Sequence, residues 1–190
     1  MRVAAVLFVV LTTLGCGSTG AVETTSTPAE TLSGDDREAA IYGAVIRQLV
    51  MKNNTFGSAP TSFKVVYVLD RPIESAADPE AQVSGGSSQE AFSESLKAAV
   101  RTRLTDLPPV KFVRTRSSVV VGEKAHSSPG HVRAGGVLIT LGPIRGDEGK
   151  VRVANSWWMN GLAAQWLTYV LDRQGAGWKV TGISGPIAIS

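Results

Sequence analysis

The chain has 190 residues, room for one domain with appendages, and its 43% hydrophobic share is enough to build a core. Nineteen Lys and Arg against 16 Asp and Glu give +3. That charge is too weak and scattered for a nucleic-acid partner, which requires a clustered basic stripe.

From the N-terminus, Met1-Arg2 is a short positive start, and residues 3–14 carry no charge. Twelve helical residues span about 18 Å, against a hydrocarbon core of about 30 Å. The segment therefore has the dimensions of a secretory apolar region rather than of a membrane span. The sequence Thr12-Thr13-Leu14-Gly15-Cys16 follows. This run resembles the lipobox of bacterial lipoproteins, with Thr13 standing where Leu is commoner. The resemblance implies that Gly15 fits a narrow peptidase site and that the Cys16 sulfur carries a thioether-linked diacylglycerol. On the same resemblance, 1–15 is a signal peptide and lipidated Cys16 is the new N-terminus. It also implies a membrane anchor in the cell envelope, with the domain on the extracytoplasmic side. Loss of Arg2 leaves 18 basic against 16 acidic residues, or +2. Cys16 is the only cysteine, so no intrachain disulfide forms. One acyl chain holds a protein only marginally on a bilayer, whereas two or three make a stable anchor. Residues 17–34 are rich in Ser, Thr and Gly and cannot bury a core. With Cys16 they form a flexible tether, 16–34, whose average reach is about 20–25 Å.

A single folded domain is expected over 35–190. Asp35, with Glu38 three residues on, reads as a helix start. Ile41, Tyr42, Val45, Ile46, Leu49 and Val50 repeat at helical spacing behind it. Residues 63–69 are β-branched and aromatic and predict a strand. Residues 72–86 read as a loop. Ser87-Ser88-Gln89-Glu90 reads as a second capping box, ahead of Phe92, Leu96, Ala99, Val100 and Leu104 at helical spacing. Pro108-Pro109 stops that helix. Short strands are expected at 110–113 and 119–121, and a loop at 123–135. From 136 onward the period is two, which predicts strands at 136–144, 150–159, 162–172, 178–183 and 187–189. Asn160-Gly161 predicts a type I′ turn. Such a turn would set Trp157 opposite Ala164, Asn155 opposite Trp166 and Val153 opposite Thr168. The expected fold is α+β: two amphipathic helices packed on a curved antiparallel sheet with a C-terminal β-meander.

The last hairpin, with Tyr169-Val170-Leu171, a glycine turn and Trp178-Lys179-Val180, is similar to the close of NTF2-like or cystatin-like folds, an analogy without function. The stretch from about 39 to 190 resembles a group of uncharacterised bacterial lipoproteins and secreted proteins. The matching residues are Ala44-Val45-Ile46-Arg47-Gln48-Leu49 with Phe56-Gly57, then Gly136-Val137-Leu138-Ile139-Thr140-Leu141-Gly142-Pro143-Ile144. Tyr169-Val170-Leu171, Trp178-Lys179-Val180-Thr181-Gly182 and Ile189-Ser190 complete them. The resemblance implies one shared domain and no nameable activity.

The chemistry-bearing residues are sparse. His126, His131 and Glu123, with Asp147 and Glu148 beyond, match no closed zinc pattern, so a plain solvent loop is the expectation and no metal is assigned. Ser127 and Ser128 adjoin His126, but no G-x-S-x-G is present and no catalytic residue is assigned. No phosphate-cradling glycine motif occurs, and no cofactor is expected. Arg101, Arg103, Lys111, Arg114 and Arg116 read as a solvated helix face and its exit loop. Three residues stand out as ligand-binding candidates. Trp158 must face away from Trp157, so a helix covers one of them or one is exposed to a partner. Asn155 is polar on an apolar face and needs hydrogen-bond partners from the backbone, or else lines a small cavity. Tyr169 shares the meander with it. The expected function is a non-catalytic envelope lipoprotein that binds an unknown protein or small molecule. One alternative is an enzyme with a pocket between helix 2 and the meander, using Asn155, Tyr169 or the loop histidines. Another is a purely structural envelope component.

Overall fold

The computed structural model describes residues 34–52, 63–80, 89–124 and 128–190. Cys16, the tether before Gly34, Ser87-Ser88, His126 and Ser127 lie outside them. Helix α1, Gly34–Met51, buries Ile41, Tyr42, Val45, Ile46, Leu49 and Val50, the stripe read from their spacing. Asp35 and Asp36 sit in its first turn, where the unpaired backbone N–H groups favour negative charge. Strand β1 follows at Val66–Leu69, helix α2 at Glu94–Arg103 and strand β2 at Val110–Val113.

Helix α2 begins later than the expected capping box. Its N-cap is Ser93, whose hydroxyl accepts the Leu96 N–H at 3.0 Å. The cause lies just upstream: the Phe92 N–H donates to the Asp70 carbonyl at 2.7 Å, so that residue is spent on the end of β1. Leu96 and Val100 then carry the apolar face.

The remaining strands are β3 (Val120–Lys124), β4 (Ser128–Val132), β5 (Val137–Gly146), β6 (Lys150–Asn160), β7 (Ala163–Gln174) and β8 (Gly177–Ile189). The architecture is α+β, with two helices on an open sheet that ends in antiparallel strands. The sheet is mixed rather than antiparallel throughout. β1 runs parallel to both β2 and β5, with Val66 paired to Val110 on one side and to Val137 on the other. A helix between two strands carries the chain back to its starting end, so the second strand of the pair must run parallel. β6 pairs with β5 and β7, and β7 with β8, all antiparallel. Residues 123–135, expected as a loop, supply most of the β3–β4 hairpin, which joins the sheet through His131 and Asn160. Gly130 is what lets that hairpin close. Its φ is +71°, and a Cβ there would stand 2.9 Å from the Glu123 backbone nitrogen.

The β6–β7 register differs by one residue from the turn-based expectation. Trp157 pairs with Gln165, Asn155 with Leu167, Val153 with Tyr169 and Val151 with Leu171. The reason is local. The Asn160 side chain accepts the Leu162 N–H at 2.8 Å, neither Asn160 nor Gly161 takes a positive φ, and a bulge follows at Met159. The type I′ turn therefore does not form. In β7 the slip exchanges faces. Leu167, Tyr169 and Leu171 join Val151, Val153 and Trp157 under α1 and α2, while Trp158, Ala164 and Trp166 lie on the opposite face. That second face is covered by Val119, Val120 and Val132 of the β3–β4 arm.

This assignment of faces makes a mutational prediction. Leu167 is fully buried and Leu162 is 80% exposed. Leu167→Ala should cost about 2–5 kcal/mol in denaturant unfolding, and Leu162→Ala about 0.5 kcal/mol or less. The reverse order would restore the register expected from a type I′ turn.

Candidate functional site

The three candidates singled out from sequence are all buried. Asn155 is 0% exposed, Tyr169 1% and Trp158 6%. The Asn155 amide donates to the Val153 carbonyl at 2.9 Å, whereas its oxygen has no partner. The Tyr169 hydroxyl is likewise without a partner, and burial holds its pKa well above the usual phenol range. Both side chains lie in the core between helices and sheet, and neither lines a surface hollow. Trp158 lies under the arm, with the Arg116 guanidinium 3.8 Å from its ring centre. Stacking of that kind contributes about 0.5–2 kcal/mol. Of the two expected outcomes the first holds for Trp157, which the helices cover, and neither ring is exposed, because the β3–β4 arm covers Trp158. His131 is exposed on β4, Glu123 pairs with Arg116 at 3.3 Å, and Asp147 accepts the N–H groups of Gly149 and Lys150 in its own turn. Among the described residues, no three His, Cys, Asp or Glu side chains stand close enough to hold a metal.

Among the described residues, two hollows stand out on the surface. One, about 370 Å³, is lined by Glu74, Pro143, Arg145, Asp147, Lys150 and Arg152 among others. Its charges are largely spent on each other: Glu74 binds Arg145 and Gln89, and Lys150 reaches Asp172 at 3.5 Å. The other, about 570 Å³, lies where β1 and β2 end and α2 begins. In sheets of this kind the carboxyl ends of parallel strands, where the chain departs for a helix, are the usual place for a ligand.

This larger cleft is built from three segments. β1 delivers Asp70 and Arg71 at its carboxyl end, and β2 delivers Phe112 and Arg114 at its own. Asp70 is held there by its backbone: its N–H donates to the Val113 carbonyl at 2.9 Å, and its carbonyl accepts the Phe92 N–H. Helix α2 supplies Glu94, Lys97 and Arg101, spaced so that they share a face that flanks its apolar stripe, with Lys97 itself buried at the border. Phe92 and Phe112 form the apolar part of the wall, ring against ring at 6.2 Å.

The electrostatics are lopsided. Four cationic side chains line the cleft against two carboxylates, a local balance of +2. Both carboxylates are already engaged. Asp70 accepts from Arg71 at 3.3 Å, and Glu94 accepts from Lys97 at 2.9 Å. The Lys97 hydrogen bond, aided by its charge, holds the Glu94 carboxyl below its usual pKa. Arg101 and Arg114 are exposed, and neither pairs with a described carboxylate. Arg101 lies over the Phe112 ring at 5.2 Å. The basic set read from sequence as one solvated face thus divides. Arg101 and Arg114 enter the cleft, Arg103 reaches Asp36 at 3.7 Å, and Arg116 is committed to Trp158. Asp70, Arg71 and Lys97 were missed altogether. The strand–helix–strand order around them was the signal that could have found them.

No family model, curated protein or solved structure matches the chain.

The orphaned tyrosine hydroxyl gives a direct test of whether this part of the core is dry. Tyr169→Phe removes a buried polar group that no protein atom satisfies, so stability should stay level or rise by up to about 2 kcal/mol. Thermal melts of the two proteins would measure it, and a loss of 1 kcal/mol or more would mean that the hydroxyl has a partner in solution.

Proposed function

We propose that the chain is a membrane-tethered binding protein, anchored in the cell envelope through lipid on Cys16. Its domain faces the extracytoplasmic side and binds through the cleft at the ends of β1 and β2. The reading of location rests on one observation, the charge-free run 3–14 ending in Gly15-Cys16. Among the described residues no helix is long and apolar enough to cross a membrane. Attachment in this reading therefore falls to the acyl chains, each buried CH₂ contributing about 0.8 kcal/mol.

The binding role is supported by the character of the cleft. It holds guanidinium groups without carboxylate partners beside two aromatic rings, and it contains no hydroxyl or thiol nucleophile among its lining residues. That composition suits holding a ligand better than transforming one. Asn155 and Tyr169, the residues an enzyme reading would have used, face a packed interior instead.

Location can be tested in a bacterial host with a lipoprotein export pathway. The wild-type protein should incorporate labelled palmitate, and mass spectrometry should find an acylated Cys16 at its N-terminus. Cys16→Ala should lose the label and retain residues 1–15. A wild-type protein recovered with its leader intact, or with a free thiol at residue 16, would overturn the reading.

A further inference from the structure

We infer that the cleft binds a phosphate oxyanion and that it faces the membrane to which the chain is tied. The second half of this inference rests on the proposed lipid anchor, whereas the first does not.

The case for an oxyanion comes from the spare charges. Once Asp70 is matched with Arg71 and Glu94 with Lys97, Arg101 and Arg114 remain. Two exposed guanidinium groups from different elements line one hollow, and neither makes an ion pair with a described carboxylate, although the Arg101 charge is felt at Glu94. Like charges held together in this way repel each other, and a ligand with two or more negative oxygens removes the repulsion. Guanidinium is also the group best shaped for this task, since its fork of N–H donors meets a phosphate in bidentate fashion. Lys97 lies within the same wall, with only 9% of its side chain exposed, and its bond to Glu94 keeps that carboxylate from pairing fully with the arginines.

The case for orientation comes from where the chain enters the domain. Helix α1 starts at Gly34, immediately after the expected tether. The Asp35 carboxylate accepts hydrogen bonds from the Ser93 and Ser95 hydroxyls, which flank Glu94 on the cleft's rim. Tyr42, two turns along α1, packs against Phe92 of the cleft wall at 5.2 Å. The described chain therefore begins beside the cleft's mouth. In the proposed anchored form, a tether with an average reach of about 20–25 Å would bring that mouth within roughly two or three Debye lengths of the bilayer surface. A phosphate could then come from an anionic lipid headgroup or from solution, and the two sources share the same recognition chemistry.

The experiment uses the full chain as Cys16→Ala, so that acyl chains contribute nothing, purified in neutral detergent. Inorganic phosphate is titrated by calorimetry. In parallel, flotation compares vesicles of phosphatidylcholine alone with vesicles containing phosphatidylglycerol. Each assay is repeated with Arg101→Gln/Arg114→Gln, and with Lys52→Ala/Lys179→Ala, which removes two exposed charges elsewhere. The inference expects binding in at least one assay. It also expects a loss of about a hundredfold in the arginine pair, about one decade for each charge-assisted contact removed, and little change in the lysine pair. Binding to phosphate alone identifies a soluble ligand, and preference for the anionic vesicles identifies a headgroup; either supports the site. No binding in either assay would overturn it, and so would an equal loss in both double variants, which would reduce the effect to surface charge. Both arginines are exposed, and unchanged melting of the arginine pair verifies that the fold survives. The palmitate experiment reports on the anchor independently, so failure of one reading leaves the other intact.

Discussion

A single buried hydrogen bond does much to set the arrangement of this fold. The Trp157 indole N–H donates to the Gln165 side-chain oxygen at 3.2 Å, across directly paired positions of β6 and β7. Neither group could be buried cheaply alone, since an unsatisfied polar group costs about 1–3 kcal/mol. A slip of one residue would turn Gln165 to the other face and leave the indole without that partner. The same slip would carry Leu167, Tyr169 and Leu171 out of the helix-covered core. Polar specificity and apolar burial thus choose the same register, and the Asn160 side chain, capping the Leu162 N–H, shapes the turn to suit.

From that register follows a sheet with two apolar faces. Strand alternation sends Trp157 and its neighbour Trp158 in opposite directions. α1 and α2 cover the first, so the second needs another cover. It is supplied by the β3–β4 arm, with Val119, Val120 and Val132 beneath and Arg116 stacked above the ring. The arm therefore forms because an apolar face awaits it. Past the expected strand at 119–121, its own sequence, with glycines, a proline and serines, carries little strand signal.

This explains what could be read from the chain and what could not. The apolar stripe of α1 repeats at 3.6-residue spacing over six positions and survives intact in the structure. The face of β6 was legible as well, since Val151, Val153, Asn155 and Trp157 share it in both the expected and the observed pairing. β7 was not, because residues 163–171 are apolar at all positions but Gln165 and Thr168, which fall on opposite faces, so alternation leaves no mark on that stretch. Its register was inferred from a turn whose Asn side chain chose a different hydrogen bond. The late start of α2 escaped for a related reason. The expected capping box at Ser87-Ser88-Gln89-Glu90 gives way to Ser93 because Phe92 bonds back to Asp70, a contact between segments distant in sequence. The cleft was hidden by the same distance. Arg71, Lys97 and Arg114 look like ordinary surface charges until the crossover brings β1, α2 and β2 to one edge.

That crossover also ties the cleft to the N-terminus of the domain. β1 runs to its carboxyl end, where α2 starts, so the mouth of the cleft and the first turn of α2 must coincide. α1 packs alongside α2 in the same sense: Asp35 meets Ser93 and Ser95 at one end, while Arg47 bonds the Arg103 carbonyl and Asp106 at the other. Two parallel helices begin at the same edge of the domain. The described chain therefore begins on the cleft's side of the molecule, because the first turn of α1 and the first turn of α2 share that edge.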